Sequence, residues 1–285
     1  MSIAVNNLNG KIISTQYLGF SGGERHIQIS PDNDDRTYRI RADLHSSDDI
    51  FDFLLTINAL NQQNKGGALF DVEIPYLPYS RQDRVCAPGQ AFSLQVLAEV
   101  LCSFSPDASK RMAITTWDCH SPVGLSLLGA KNIPSYELIK HSNELSALIR
   151  SSKSVLVSPD KGAIERTKQV AKAFGQKIIV QTNKVRDPQS GKIIRTDVDV
   201  DDLTGKTAII IDDICDGGMT FIKLAEQLKQ RNANRIVLYV THGIFSKGLD
   251  VFDGLIDKIF TTNSFTQPSN TRVNVIAINN KGESS

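Results

Sequence analysis

The 285-residue sequence has no run of five or more lysines and arginines, and its net charge is only +1. Nothing here gathers a polyanion, so neither nucleic acid nor an anionic membrane is an expected partner, and any anion site must be local. No apolar stretch approaches the length of a membrane span. Residues Met1 to Gly10 do not show a charged start followed by an apolar core, so a cytoplasmic location is expected. The four cysteines, Cys86, Cys102, Cys119 and Cys215, form no C-x-x-C pair, which leaves a zinc ribbon or thioredoxin-like motif without support. Two nucleotide fingerprints are also missing. There is no G-x-G-x-x-G, and Val200 stands where a Walker A loop ending in Gly205-Lys206-Thr207 would need glycine.

What is present is an ordinary soluble balance, 40% hydrophobic and 22% charged, in a chain long enough for two α/β domains. Short apolar runs rich in β-branched residues predict strands at Leu69–Tyr76, Arg111–Trp117, Ser154–Val157, Lys177–Val180, Thr207–Ile211, Arg235–Val240 and Val273–Ile278. Several are apolar on both faces, as in a parallel sheet covered by helices on either side. Helical periodicity fills the gaps at Asp49–Asn61, Ser93–Cys102, Gly162–Phe174 and Phe221–Arg231. This alternation gives an α/β class. A break at Asn132–Pro134 suggests a boundary, dividing the chain into domains 1–133 and 134–285. The polar stretch Lys184–Lys192, with Pro188 and Gly191, reads as a mobile loop or a hairpin.

The clearest chemistry lies in Ile209-Ile210-Ile211-Asp212-Asp213-Ile214-Cys215-Asp216-Gly217-Gly218-Met219-Thr220. An apolar strand ends in two acids, turns through glycines and enters a helix. Glycines let backbone amides approach a phosphate, and the helix N-terminus favours negative charge there. Thr220 adds a hydroxyl donor. Carboxylates do not belong beside a phosphate, so Asp212 and Asp213 suit sugar hydroxyls, or a metal shared with the sugar. A sugar phosphate is the ligand this combination expects.

This segment resembles the ribose-phosphate loop shared by type I phosphoribosyltransferases and ribose-phosphate pyrophosphokinases. Four further segments resemble the pyrophosphokinases, in that family's order. They are Phe20-Ser21-Gly22-Gly23-Glu24, Pro75-Tyr76-Leu77-Pro78-Tyr79-Ser80-Arg81-Gln82-Asp83-Arg84, Asp118-Cys119-His120 and Val157-Ser158-Pro159-Asp160-Lys161-Gly162. Thr241-His242-Gly243-Ile244-Phe245-Ser246 looks like the strand end that follows the sugar loop.

The resemblance implies two similar domains, each a mainly parallel sheet flanked by helices. It implies transfer of the pyrophosphoryl group of Mg-ATP to ribose 5-phosphate, with a phosphoribosyltransferase or a non-catalytic subunit as alternatives. It assigns ATP contacts to Phe20, Gly22, Glu24, Arg81, Gln82, Asp83 and His120, and Mg²⁺ to Asp118, His120 and Asp160. The Phe20–Glu24 segment touches ATP from a neighbouring subunit in the family, so a dimer or a hexamer of dimers is expected. Read cold, Lys184 and Arg186 are a solvated basic pair. The resemblance makes Lys184 a transition-state cation and Arg186 a catalytic and ribose-phosphate contact, alongside Asp212, Asp213, Asp216, Gly217, Gly218, Met219 and Thr220. Taken cold, Asp160 is equally an N-cap for the helix that follows.

Four departures from the family pattern stand out. Gly22 replaces an aspartate. Val85-Cys86-Ala87-Pro88-Gly89 replaces a basic stretch. Asp216-Gly217-Gly218-Met219-Thr220 replaces D-T-x-G-T, putting Met219 at a usual glycine. Ser121-Pro122-Val123 replaces residues that bind regulatory phosphate in some members, so altered regulation is expected.

Overall fold

A computed structural model describes residues 3–31, 36–103, 111–186 and 193–278. Positions 187–192 of the expected polar loop, and 279–285 of the expected second domain, lie outside the described residues. The chain forms two compact units that meet in sequence between Ile133 and Pro134.

The first unit runs β1 (Ile3–Asn7), β2 (Thr15–Gly19), β3 (Arg25–Ile29), β4 (Thr37–Ala42), α1 (Ser47–Gln63), β5 (Leu69–Ile74), α2 (Ser93–Ser103), β6 (Met112–Trp117), α3 (Pro122–Leu128) and β7 (Lys131–Ile133). Its sheet has the order β1-β4-β5-β6-β7. β1 is antiparallel to β4, and the remaining pairs are parallel. β2 and β3 form a separate antiparallel hairpin. Burial alternates along β4 and β5: Tyr38, Ile40, Ala42, Phe70, Val72 and Ile74 point into the core, and Arg39, Arg41, Asp71 and Glu73 point away. Alternation of this kind marks a sheet with only one apolar face.

Helix α1 starts where it does because of reciprocal capping. The Ser46 hydroxyl accepts from the Asp49 amide (3.1 Å) and donates to the Asp49 carboxylate (2.7 Å). Asp48 and Asp49 also favour the positive helix end. Phe53, Leu54, Ile57 and Leu60 then share its buried stripe.

The second unit runs α4 (Ser135–Ile139), α5 (Asn143–Arg150), β8 (Ser154–Ser158), α6 (Ile164–Phe174), β9 (Ile179–Arg186), β10 (Ile193–Val198), β11 (Thr207–Cys215), α7 (Met219–Gln230), β12 (Arg235–Gly243), β13 (Lys258–Thr262) and β14 (Val273–Ile276). Its sheet order is β10-β9-β8-β11-β12-β13-β14. All pairs are parallel except β9 with β10. Every residue of β8 is buried, as are eight consecutive residues of β12. Runs apolar on both faces fit a parallel sheet covered on both sides. Each fully buried Leu or Ile, such as Leu156, Ile209, Ile210 and Leu238, contributes about 1.5–3 kcal/mol by leaving water.

Most elements expected from the sequence are present with small changes of boundary. Several others went unrecognised: β1 to β4, β7, β10, β13 and the short helices α3, α4 and α5. Their segments are short or alternate with polar residues, so they offer no apolar run. Among the described residues no helix is long and apolar enough to cross a membrane.

Candidate functional site

In the second unit the chain leaves β8 to build β9 on one side, then returns to build β11 on the other. The loops after β8 and β11 therefore diverge, which opens the crevice where α/β sheets bind ligands. β11 also outruns its neighbour. Its register with β8 ends at Ile210↔Val157, so Asp212 and Asp213 overhang the strand end beside it.

Neighbours on a strand ordinarily point to opposite faces. Here both carboxylates meet one side chain. Arg166, from the first turn of α6, lies 3.4 Å from Asp212 Oδ1 and 3.3 Å from Asp213 Oδ2. The Asp213 amide donates to Asp212 Oδ1 (2.9 Å). Burial, then repulsion from Asp213, pushes the Asp212 carboxyl well above the usual range, with Arg166 opposing the rise and Asp160 adding to it. Arg166 received no role in the sequence reading. The available signal was an arginine one turn into a helix that begins at a strand end.

The Asp160 carboxylate accepts from the amides of Gly162 (2.9 Å) and Ala163 (3.2 Å). Asp160 is not the N-cap weighed from the sequence: that place is taken by Ala163, which makes no side-chain cap bond, and the Asp160 carboxylate closes the turn leading to α6.

The turn after β11 is set by Gly218. Its φ is +78°, and a Cβ there would sit 2.6 Å from the Phe252 ring, so only glycine fits. α7 starts at the next residue. Met219 carries its side chain 61% exposed at the helix start, so the departure from the family glycine meets no packing obstacle. The left-handed residue of this turn is Gly218. Asp216 accepts from the Ser246 hydroxyl (2.6 Å) and its carbonyl from the Ser246 amide (3.2 Å). The loop after β12 is thereby fastened to the glycine turn. The stem of the exposed Lys247 lies beside Gly217, 3.6 Å from where a Cβ would be. The sequence reading passed over Lys247. His242, near the end of β12, is a core residue, buried with Nδ1 2.9 Å from the Ser264 hydroxyl.

Lys184 and Arg186 lie on β9, paired in register with Thr196 and Ile193 of β10. Of the two forms expected for this stretch, loop or hairpin, the paired strands make a hairpin arm.

In the first unit the loops after β5 and β6 are tied together. The Ser121 hydroxyl donates to Asp83 Oδ2 (2.7 Å), and Arg84 donates to both oxygens of the same carboxylate (2.7 and 3.0 Å). Those bonds, Arg84 first and Ser121 second, lower the Asp83 carboxyl to about 2. Asp83 thus spends its carboxylate on joining loops, and Arg84 pairs with it. Arg81, Gln82 and His120 are exposed, while Asp118 is buried. The Asp118 amide donates to the Ile133 carbonyl (2.7 Å) and the Cys119 amide to Asn132 Oδ1 (2.9 Å). Asn132, read from sequence as part of a break, is a tether for this loop.

Phe20, Gly22 and Glu24 form the tip of the β2–β3 hairpin, closed by Phe20 amide to Glu24 carbonyl and Gly23 amide to Phe20 carbonyl bonds (both 2.9 Å). The hairpin is anchored to α1 by Arg25 on Asp52 (Nε–Oδ1 2.9 Å) and Tyr17 with Thr56 (3.0 Å). Phe20 is 58% exposed. At position 22 a Cβ would meet the Glu24 carboxylate at 2.5 Å. An aspartate there would displace Glu24 and repel it.

Among the described residues, three non-glycine residues with positive φ stand in strand-end loops: Tyr79 (59°) after β5, Asp118 (39°) after β6 and Phe245 (47°) after β12. Each such conformation costs roughly 1–3 kcal/mol and clusters at functional sites. The strain marks the same loops that carry the candidate residues.

Residues 134–266 match the family model described as a phosphoribosyl transferase domain. The chain is 26% identical over 276 residues to a ribose-phosphate pyrophosphokinase of Thermococcus kodakarensis, covering 95% of this chain and 92% of the relative. It is 31% identical over 223 residues to one of Mycoplasmopsis pulmonis, covering 77% and 66%. In fold it is similar to a phosphoribosylpyrophosphate synthetase from Mycobacterium smegmatis, with a TM-score of 0.76 at 19% identity over 94% of this chain and 87% of that one.

Proposed function

The chain belongs to the ribose-phosphate pyrophosphokinase family, related to the type I phosphoribosyltransferases, and we propose that it transfers the pyrophosphoryl group of Mg-ATP to the 1-hydroxyl of ribose 5-phosphate. The products are 5-phosphoribosyl 1-pyrophosphate and AMP. The observation that carries this reading is the switch point of the second unit, where two carboxylates stand beside a glycine turn at a helix N-terminus.

Ribose 5-phosphate binds the second unit in this reading. Its phosphate takes the backbone amides of Asp216–Thr220 and the Thr220 hydroxyl, at the positive end of α7. Its ring hydroxyls donate to the carboxyl oxygens of Asp212 and Asp213, which offer no donor array for the phosphate. ATP binds the first unit, through Arg81, Gln82 and His120 on the paired loops, and Asp83 serves by locking those loops together. A neighbouring copy contributes Phe20 and Glu24 from its hairpin tip, so the working unit is a homo-oligomer.

The 1-hydroxyl oxygen attacks the β-phosphorus and gives up its proton to solvent, as the bond from the β-phosphorus to the oxygen it shares with the α-phosphorus breaks, and AMP leaves with that electron pair. Lys184 neutralises charge on the transferring group, and Arg186 holds the ribose phosphate. The metal arrives with ATP as part of the substrate. Oxygen donors suit it, since Mg²⁺ needs one or two carboxylates beside phosphates and water. Asp160, in the loop after β8 beside the overhanging end of β11, is the second unit's carboxylate for that task. Mg²⁺ supplies charge neutralisation on the polyphosphate. Asp118 and His120 are the first unit's candidates for the same task. A reaction running on ATP fits a cytoplasmic setting.

The test is AMP release from Mg-ATP. AMP should form only with ribose 5-phosphate present, and Lys184→Ala should slow it by about 100-fold or more with the fold intact. No AMP from any nucleoside triphosphate would sink the reading. Pyrophosphate release from phosphoribosyl pyrophosphate and a base would favour the transferase.

A further inference from the structure

Arg166 makes close contacts in the sugar crevice that the proposed reaction does not use. It sits with its side chain 13% exposed, between carboxylates that are 15% and 5% exposed. Two neighbouring carboxylates in so dry a place repel each other, and one would take up a proton or turn away without a countercharge. The guanidinium is a planar fork, and each arm meets a different carboxylate. Such a fork can hold two acids in one plane, which a single ammonium point charge cannot do.

The backbone explains how the fork arrives there. The Asp160 carboxylate gathers the amides of Gly162 and Ala163, and α6 begins at Ile164. That turn sets the rotational phase of the helix. Arg166 falls on the side facing the overhanging end of β11. Its neighbour Thr167 is buried, with its hydroxyl donating to the Ala163 carbonyl (2.9 Å), so the first turn is pinned from within. The segment after β8 therefore acts on the segment after β11 through one side chain.

We propose that Arg166 is a positioning residue for the sugar. It holds Asp212 and Asp213 side by side so that both accept from adjacent ribose hydroxyls, and it does not itself touch the substrate. This rests on the ribose 5-phosphate reading of the crevice. Both arms of the guanidinium face carboxylates, so a direct phosphate contact would require breaking the arrangement seen.

The experiment uses the full chain with Arg166→Gln, Arg166→Lys, Asp212→Asn and the double variant Arg166→Gln/Asp212→Asn. Calorimetric binding of ribose 5-phosphate without ATP is measured beside the steady-state constants and the melting temperature. Arg166→Gln should weaken ribose 5-phosphate at least tenfold while the ATP KM stays within twofold. Arg166→Lys should recover part of that loss. The two single losses should not add in the double variant, because both break one interaction. Ribose 5-phosphate affinity within twofold of wild type in Arg166→Gln would overturn the proposal. So would a loss expressed in the ATP KM, a strictly additive double variant, or a loss that disappears once melting temperature is matched by cooling. If the wild type binds ribose 5-phosphate but releases no AMP, the synthetase reading fails. Loss of that binding in Arg166→Gln would still uphold the positioning role. A wild type that does not bind ribose 5-phosphate overturns both.

Discussion

The two units are built from the same elements and use them differently. In the first, the strand order rises from β4 to β7 without reversal, and β4 and β5 alternate apolar with charged residues. In the second, the order reverses at β8 and the central strands are buried on both faces. The reversal matters for chemistry, because diverging connections leave a crevice only at a switch point. The carboxylates, glycine turn and Arg166 all collect at that point. The first unit has no reversal among its described parallel strands, and its candidate loops are held together by side-chain bonds instead, with Asp83 at the centre. Topology gathers the candidate residues in one case, and a polar clasp gathers them in the other.

Core deletion gives the largest expected effect on this contrast. Ile209→Ala and Ile210→Ala remove side chains from opposite faces of β11, and both residues are fully buried. Each should cost about 2–5 kcal/mol in denaturant unfolding. In β5 the neighbouring pair Asp71 and Val72 should split: Val72→Ala is costly, and the exposed Asp71→Ala stays within about 0.5 kcal/mol. Similar costs in both pairs would break the comparison. Next in size is Gly218→Ala, which combines a left-handed backbone with a clash on Phe252. It should cost about 2–4 kcal/mol and weaken ribose 5-phosphate. A fully stable variant with unaltered binding would mean that the turn does not need its glycine.

The second unit was the more legible from sequence because its strands are continuous apolar runs. Thr207–Ile211 and Arg235–Val240 announced themselves, and the sugar loop followed from acids and glycines at a strand end. The first unit hid more. Thr37–Ala42, with its arginines at every second position, has no apolar run, so β4 was missed although it lies inside the sheet. Arg166 was hidden for another reason. Its importance lies in where a helix phase carries it, 46 residues before Asp212 in the chain, and no local pattern encodes that. Asp83 was legible only as a member of a motif that suggests a nucleotide contact; its bonds to Arg84 and Ser121, which join two loops, have no local sequence pattern.

A smaller effect concerns Glu73, on the polar face of the first sheet. Trp117 Nε1 donates to its Oε1 (2.9 Å), while the buried Oε2 has no hydrogen-bond partner among the described residues. Burial raises its carboxyl above the ordinary value, with the Trp117 bond and Arg41 opposing. A raised folded value means that stability is highest below the unfolded value near 4.5 and falls as pH rises through the folded one. Glu73→Gln keeps the indole bond and removes the buried charge. It should raise stability at neutral pH by about 1 kcal/mol, with the gain vanishing in acid. A loss at neutral pH would show that attraction to Arg41 outweighs burial.

The smallest effect has the opposite sign and tests the clasp itself. Asp83 is lowered to about 2 by Arg84 and Ser121. A carboxylate lowered on folding stabilises fully above its unfolded value, roughly 3.9, and that contribution is lost as pH falls through the folded value. Wild type should therefore exceed Asp83→Asn by a constant margin above about pH 5, and the margin should shrink between about pH 4 and 2. Urea midpoints across that range measure it. Arg84 is 73% exposed, so water screens the pair and the margin should stay within about 1 kcal/mol. Ser121→Ala should reproduce only part of it, since Arg84 remains. A margin independent of pH would mean that the loops are joined by packing around Asp83 and not by its charge. The first unit would then hold its site as the second does, through backbone placement.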